Sequence, residues 1–224
     1  EVGRVYLPRD GEKLPQEQRV VAGCLCGSLA GESWLEPPRA AGYYTGKGLV
    51  EALFAAVGGG FSVRRSAEPF LHTGNSADIY VDGERAGYVG EVHPHVLQTY
   101  GIDRPAVAFE VFQDALAGSS AGTVMFEDLI TYPASFQDIA VVVGEDAAAA
   151  EVLEVVTEAD APLLRAARVF DIYTGDQIEA GKKSIALRLE FCSPERTLTD
   201  AEVDEARSAI VAALADKLGA GLRS

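Results

Sequence analysis

The chain has 224 residues, 48% of them hydrophobic, with 34 acidic against 19 basic residues and a net charge of −15. That length suits one or two domains with ordinary cores, and the charge argues against a nonspecific nucleic-acid binder, which needs a cationic footprint. No apolar run approaches the roughly 20 residues of a bilayer span, and no charged start followed by an apolar core marks a secretory signal. The reading is a soluble, cytoplasmic protein with no membrane or DNA partner. Because the chain opens on Glu1 and its one methionine is Met125, it reads as a piece of something longer.

In chain order, residues 5–15 read as a strand end running into a Pro- and Gly-marked loop, residues 19–27 as a short strand, and residues 32–42 as a loop carrying Trp34 and the Pro37-Pro38 pair. Residues 48–57 read as a helix with Leu49, Leu53, Ala56 and Val57 on one stripe, ended by three glycines. A strand at 61–65, a hairpin over 77–90 turning at Asp82-Gly83, a helix at 94–100 and a strand at 106–112 complete an antiparallel α+β unit. Residues 115–122, ALAGSSAG, are small and flexible, so they read as a linker. Cys24, Cys26 and Cys192 are odd in number and lack C-x-x-C spacing, which reads as reduced, small apolar side chains.

Beyond the linker, residues 138–143 (DIAVVV) read as a buried strand and residues 147–158 as a helix with Val152, Val155 and Val156 at helical spacing. Residues 168–203 are the most informative stretch. A strand ends at Tyr173, Gly175-Asp176 turns the chain with Gly175 supplying positive φ, and Gly181-Lys182 restarts it. From 184 to 192 the residues alternate, with Ile185, Leu187, Leu189 and Phe191 on one face and Ser184, Ala186, Arg188, Glu190 and Cys192 on the other. Thr197 or Thr199 then caps a helix, Thr199 and Glu202 making a capping box, and the helix runs through Val203, Ile210, Val211 and Leu214 to stop at Gly219. The closing GAGLR is too short to read as a strand by itself. The order β-α-β-β-α is that of a ferredoxin-like sandwich, an architecture that leaves function open.

Two chemistries are open on residue types. Glu91, His93 and His95 alternate and His72 lies a hairpin away, so a metal hydrolase on the histidines is one reading. The other is that His93-Pro94 simply opens a helix, its imidazole satisfying backbone groups. The glycines at 42–48 and 58–60 do not form G-x-x-x-x-G-K-[ST], and no G-x-S-x-G elbow occurs. A small-molecule sensor binding amino acids is a further alternative, since ferredoxin-like domains also serve that use.

FDIYTGDQIEAGKKSIALRLEF, the following ERTLTDAEV and the terminal GAGLR resemble the C-terminal ferredoxin-fold anticodon-binding domain of the bacterial phenylalanyl-tRNA synthetase beta subunit, over residues 132–223. GKGLVEALFAAVG, LHTGNSADIYVDGERAGYVGEVHPHVL and AVAFEVFQDAL resemble the catalytic-like module that precedes it, and Glu1 to Arg4 its strand entering the second class II motif region. The chain departs from the family pattern at Gln137, where Arg is usual, at Thr73 and Asn75 within His72–Ser76, and at Thr45–Gly48.

The resemblance implies an α+β chain with an antiparallel class II synthetase-like module over 1–118, incomplete and non-catalytic, and a ferredoxin-like β-α-β-β-α-β domain over 131–224. It implies an enzyme that attaches phenylalanine to its tRNA with ATP and Mg. This piece would hold no cofactor, partner the alpha subunit that carries the chemistry, and contact the tRNA anticodon stem-loop. No arginine pattern in the first half matches the grip on an ATP α-phosphate, so that half reads as a scaffold. For RNA, the exposed sheet face of such a domain presents aromatics for stacking and cations for phosphates. The candidates are Phe136, Tyr173, Arg188 and Arg196, with Lys182 and Lys183 as phosphate contacts. Against these stand packing roles for Phe136 and Tyr173, pairing of Arg196 with Asp200 or Asp171, and a solvated turn for the lysines. The acidic balance is shared by both halves: 10 basic against 17 acidic residues up to Ala134 and 9 against 17 beyond it, or −7 and −8. Any RNA contact must therefore be local.

Overall fold

Asp82-Gly83 turns a long hairpin, with positive φ at both residues (50° and 83°), the conformation of a type I′ turn whose twist matches the strands it joins. In the computed structural model, which describes residues 1–29, 34–35, 37–120, 126 and 129–223, the chain divides into two units, Glu1–Phe126 and Glu127–Ser224.

The first unit contains β1 (Val2–Leu7), β2 (Gln16–Cys26), α1 (Tyr43–Ala56), β3 (Ser62–Arg65), β4 (Leu71–Val81), β5 (Glu84–Val92), α2 (Pro94–Thr99), β6 (Ala106–Phe112) and α3 (Gln113–Gly118). Its strands form one antiparallel sheet in the order β1-β2-β6-β5-β4-β3. Two expectations are corrected. Helix α1 begins at Tyr43, not at residue 48, and its buried stripe is Gly46, Val50 and Phe54, while Leu49 and Ala56 are exposed and Leu53 is half-buried. Gly46 explains the shift: a Cβ there would lie 2.6 Å from Val107 Cγ2, so the missing side chain lets the first turn sit directly on the sheet. The expected linker begins as helix α3, whose Leu116 is buried, so its first four residues are structured. Its last two, Ala121 and Gly122, lie outside the described residues.

The second unit contains β7 (Ser135–Gly144), α4 (Ala149–Thr157), β8 (Leu164–Tyr173), β9 (Lys182–Phe191), α5 (Asp200–Leu218) and β10 (Gly221–Leu222). The sheet order is β10-β7-β9-β8 with every neighbouring pair antiparallel. The GAGLR tail thus supplies the missing last strand. Gly221 and Leu222 pair with Val142 and Val141, and the Arg223 N–H donates to the Ala140 carbonyl at 2.8 Å. The element order β-α-β-β-α-β and this strand order make the ferredoxin fold complete.

Ile185, Leu187, Leu189 and Phe191 are all fully buried, packed against Val152, Val155 and Val156 of α4 and Val203, Ala206, Ile210 and Leu214 of α5. Helix α5 opens on the expected box, the Thr199 N–H donating to Glu202 Oε2 at 3.0 Å, and closes at Gly219 with φ 61°. Gly175 is corrected in role. Positive φ falls on Gly181 (80°), whereas a Cβ on Gly175 would lie 2.4 Å from Tyr173 Oη. Ser184 and Cys192, placed by alternation on the polar face, are also buried, at 2% and 7% exposure.

Truncating Phe191 to Ala should lower the stability of the second unit by about 3–5 kcal/mol, whereas Phe136→Ala, at a position 58% exposed, should change it by less than about 0.5 kcal/mol. Urea unfolding of the two variants checks both.

Candidate nucleic-acid interface

Because the apolar residues of β9 face α4 and α5, its alternate residues face the other way, onto a side of the sheet against which no helix packs among the described residues of this unit. Register sets what stands there in rows. Asp138 on β7 pairs with Arg188 on β9, which pairs with Arg168 on β8; one row along, Phe136 pairs with Glu190, which pairs with Ala166. Arg188 grips Asp138 in a two-pronged bond, Nε to Oδ1 at 2.7 Å and Nη2 to Oδ2 at 2.6 Å, and its guanidinium lies 5.5 Å from the Phe170 ring centroid. Phe136 and Phe170 are 58% and 53% exposed, too open to be core residues. The Arg188 hydrogen bonds, reinforced by its charge and by Arg168, hold the Asp138 carboxyl below the usual carboxylate range. Arg168 is exposed and, among the described residues, makes no ion pair.

Of the sequence candidates, Phe136 and Arg188 thus occupy the open face together. Tyr173 stands at the end of edge strand β8, 36% exposed, with the Arg223 guanidinium 5.0 Å from its ring centroid. Lys182 opens β9 and pairs with Glu179 at 2.7 Å, while Lys183 donates to the Glu145 carbonyl at 2.7 Å and so ties the strand end to the loop after β7. Arg196 lies away from the face, at the start of α5. Its partner is Glu202, with Nη1 to Oε2 at 2.8 Å and a second bond from Nη2, which corrects the expected pairing with Asp200 or Asp171. The reason is the capping box, which already aims the Glu202 carboxylate back at the helix start. Arg196 above all, then the Thr199 N–H and hydroxyl, hold that carboxyl far below its ordinary value.

Arg168, Phe170 and Arg223 escaped sequence reading. The signal was present in RVFDIY, yet it takes the pairing of Arg168 with Arg188 and the contact of the Arg188 guanidinium with the Phe170 ring to bring these residues together, Phe170 itself standing at the irregularity between Val169 and Asp171. Charge also divides by layer in this unit. Strands β7, β8 and β9 carry five basic and three acidic residues, whereas α4 and α5 carry two basic and seven acidic. The sheet is therefore locally cationic inside an acidic domain.

In the first unit the His93 and His95 rings stack with centroids 5.3 Å apart, but the Nδ1 ring nitrogens of His72 and His93 are engaged by backbone. His72 Nδ1 accepts from the Gly74 and Asn75 N–H groups at 3.1 and 3.2 Å, and His93 caps α2, its Nδ1 accepting from the His95 N–H at 3.2 Å. The Glu91 carboxylate is taken by the Tyr43 N–H at 3.1 Å and the Asn75 side-chain amide at 3.0 Å, joining the start of α1 to β4. Among the described residues no three His, Cys, Asp or Glu side chains come together as metal ligands, so the hydrolase reading lacks a site.

Residues 1–112 match the phenylalanyl-tRNA synthetase beta chain CLM domain, and residues 131–223 match the ferredoxin-fold anticodon-binding domain. The chain belongs to the phenylalanyl-tRNA synthetase beta chain family. Proteins named phenylalanine–tRNA ligase beta subunit are 38% identical in Moorella thermoacetica, 37% in Methylococcus capsulatus and 33% in Bacillus thuringiensis subsp. konkukian, each alignment covering 100% of this chain. The chain spans 28% of the length of these curated relatives. Among the described residues of this beta-chain segment no helix is long and apolar enough to cross a membrane.

The ion pairs of the anticodon-binding domain carry a pH signature. Asp138, Glu179 and Glu202 all have folded-state values below their ordinary ones. Their contribution to stability is therefore present above about pH 4, the unfolded range, and fades as pH falls through the folded values. In a carboxyl-resolved NMR titration, Asp138 should titrate below the usual aspartate range and move back toward it in Arg188→Gln; an unchanged midpoint would show that the pair does not form in solution.

Proposed function

We propose that this segment serves the ATP- and Mg-dependent attachment of phenylalanine to its tRNA without performing the chemistry. Its second unit binds the tRNA anticodon stem-loop through the open face of the β10-β7-β9-β8 sheet. Its first unit, an antiparallel sheet of the class II synthetase kind, acts as a scaffold that meets the alpha subunit, where ATP and Mg are used. The observation that carries the RNA reading is the open face itself: exposed Phe136 and Phe170 beside Arg188 and Arg168, on the one layer of an acidic domain with a cationic excess. Aromatic faces accept unstacked bases at about 1–3 kcal/mol each, and guanidiniums serve phosphates and base edges.

On this face Arg168 is the readiest phosphate contact, since it is exposed and, among the described residues, makes no ion pair. Arg188 is held by Asp138 and lends its plane and edge more than a free charge. Tyr173 and Lys182 extend the surface toward the strand ends. Lys183, bound to a carbonyl, and Arg196, bound into the helix cap, serve the fold.

Titration with phenylalanine tRNA and with a non-cognate tRNA at one fixed salt concentration, followed by purified alpha subunit, tests the assignment. Cognate tRNA should bind more tightly, and Arg168→Ala should reduce the salt slope of its binding by about one. Failure to bind either the cognate tRNA or the alpha subunit would sink the role proposed for this segment.

A further inference from the structure

We propose that Arg223 is a positioning residue which holds Tyr173 in place as a stacking platform at one end of the open sheet face, an inference that rests on the anticodon reading of that face. The two residues come from opposite edges of the sheet. Arg223 follows β10, its N–H bound to Ala140 on β7, and Tyr173 ends β8. Register places Val142 opposite Ser184 and Ser184 opposite Tyr173, so two central strands separate the edges. The Arg223 guanidinium nevertheless lies 5.0 Å from the Tyr173 ring centroid and donates to Gln177 Oε1 at 2.8 Å. The contact must therefore run across the open face. Ser184, in the row it crosses, is only 2% exposed although it shares the face of Arg188.

Two further features fit a strap. Gln177 belongs to the β8–β9 loop, so one guanidinium fixes both the ring and the loop beside it. Gly175 in the same loop has no room for a Cβ, the Tyr173 hydroxyl oxygen standing 2.4 Å from where it would be. The ring is thus confined by the guanidinium and by backbone. In a half with 17 acidic residues, this guanidinium engages an aromatic face and a neutral amide, with no ion pair among the described residues. Its charge therefore remains available over the ring. Arg suits the task and Lys does not, because only the planar fork can stack and donate sideways at once. A tyrosine at a strand end beside a loop would otherwise sample several rotamers, and a ring already fixed loses less freedom when a base stacks on it.

The test is a double-mutant cycle in the full chain, with the anticodon stem-loop of phenylalanine tRNA as probe and Arg223→Lys, Tyr173→Ala and the double variant compared across a salt series. Arg223→Lys should weaken binding by about three- to tenfold with an unchanged salt slope, since the charge is kept, and should have no further effect when Tyr173 is already Ala. Binding by Arg223→Lys equal to the unmodified chain, or an equal loss in both backgrounds, overturns the positioning role while leaving the anticodon reading intact. Failure of the unmodified chain to bind the hairpin overturns the anticodon reading and this use of Arg223 with it. If Tyr173→Ala binds too weakly to complete the cycle, the ring resonances of Tyr173 in the RNA-free chain decide: Arg223→Lys should shift and broaden them, and unchanged resonances defeat the proposal.

Discussion

Burial of the alternate residues of β9 is the constraint on which the second unit depends. Ile185, Leu187, Leu189 and Phe191 are fully removed from water between sheet and helices, each burying a side chain at roughly 1.5–3 kcal/mol. With a side-chain period of two, a slip of one residue would send all four to solvent. The same register that protects the core therefore fixes the opposite face, and Arg188 has no freedom to be elsewhere. Asp138 and Arg168 are placed beside it by the pairing of β7 and β8 with that strand. The open face is a by-product of core packing, and the proposed RNA contact draws on what occupies the alternate positions.

Charge follows the same division. A domain of net −8 is a poor prospect for RNA if its charge is spread evenly. It is not spread evenly: α4 and α5 carry seven acidic against two basic residues, the strands β7, β8 and β9 three acidic against five basic, and the loops the remaining seven acidic residues. A polyanion approaching the helix side meets repulsion, and one approaching the sheet side meets Arg168 and exposed aromatics. The acidic helices would then favour one docking orientation by disfavouring the other, a use of like-charge repulsion in specificity. Within the sheet most cations are held by carboxylates, which limits the number of phosphates that can be neutralised and favours recognition by stacking over bulk attraction.

Much of this was legible from the residues. The period-two run in β9, the Asp82-Gly83 turn, the Thr199–Glu202 box and the Gly219 stop each have a local cause, and each stands where local chemistry puts it. What the chain hid was set by tertiary contact. Helix α1 is rotated and lengthened because Gly46 can touch Val107, a fact about a distant strand. The two-residue strand β10 has too little sequence to announce itself and exists because β7 offers an open edge. Among the candidate residues, Arg188 was placed off the apolar face by alternation, whereas Phe136 came from the family resemblance. The carboxylate that pairs with Arg196 is chosen by the helix cap, Arg168 is placed by strand register, and Phe170 and Arg223 are seen only through their contacts with Arg188 and Tyr173.

The central claim is that RNA meets the open sheet face and not the helices. Chemical-shift mapping of the isotope-labelled chain with the anticodon stem-loop of phenylalanine tRNA tests it most directly. The account predicts that the perturbed residues gather on β7, β8 and β9 around Phe136, Arg168, Phe170, Tyr173 and Arg188, with α4 and α5 unmoved. Perturbations centred on the outer surfaces of α4 and α5 would contradict it.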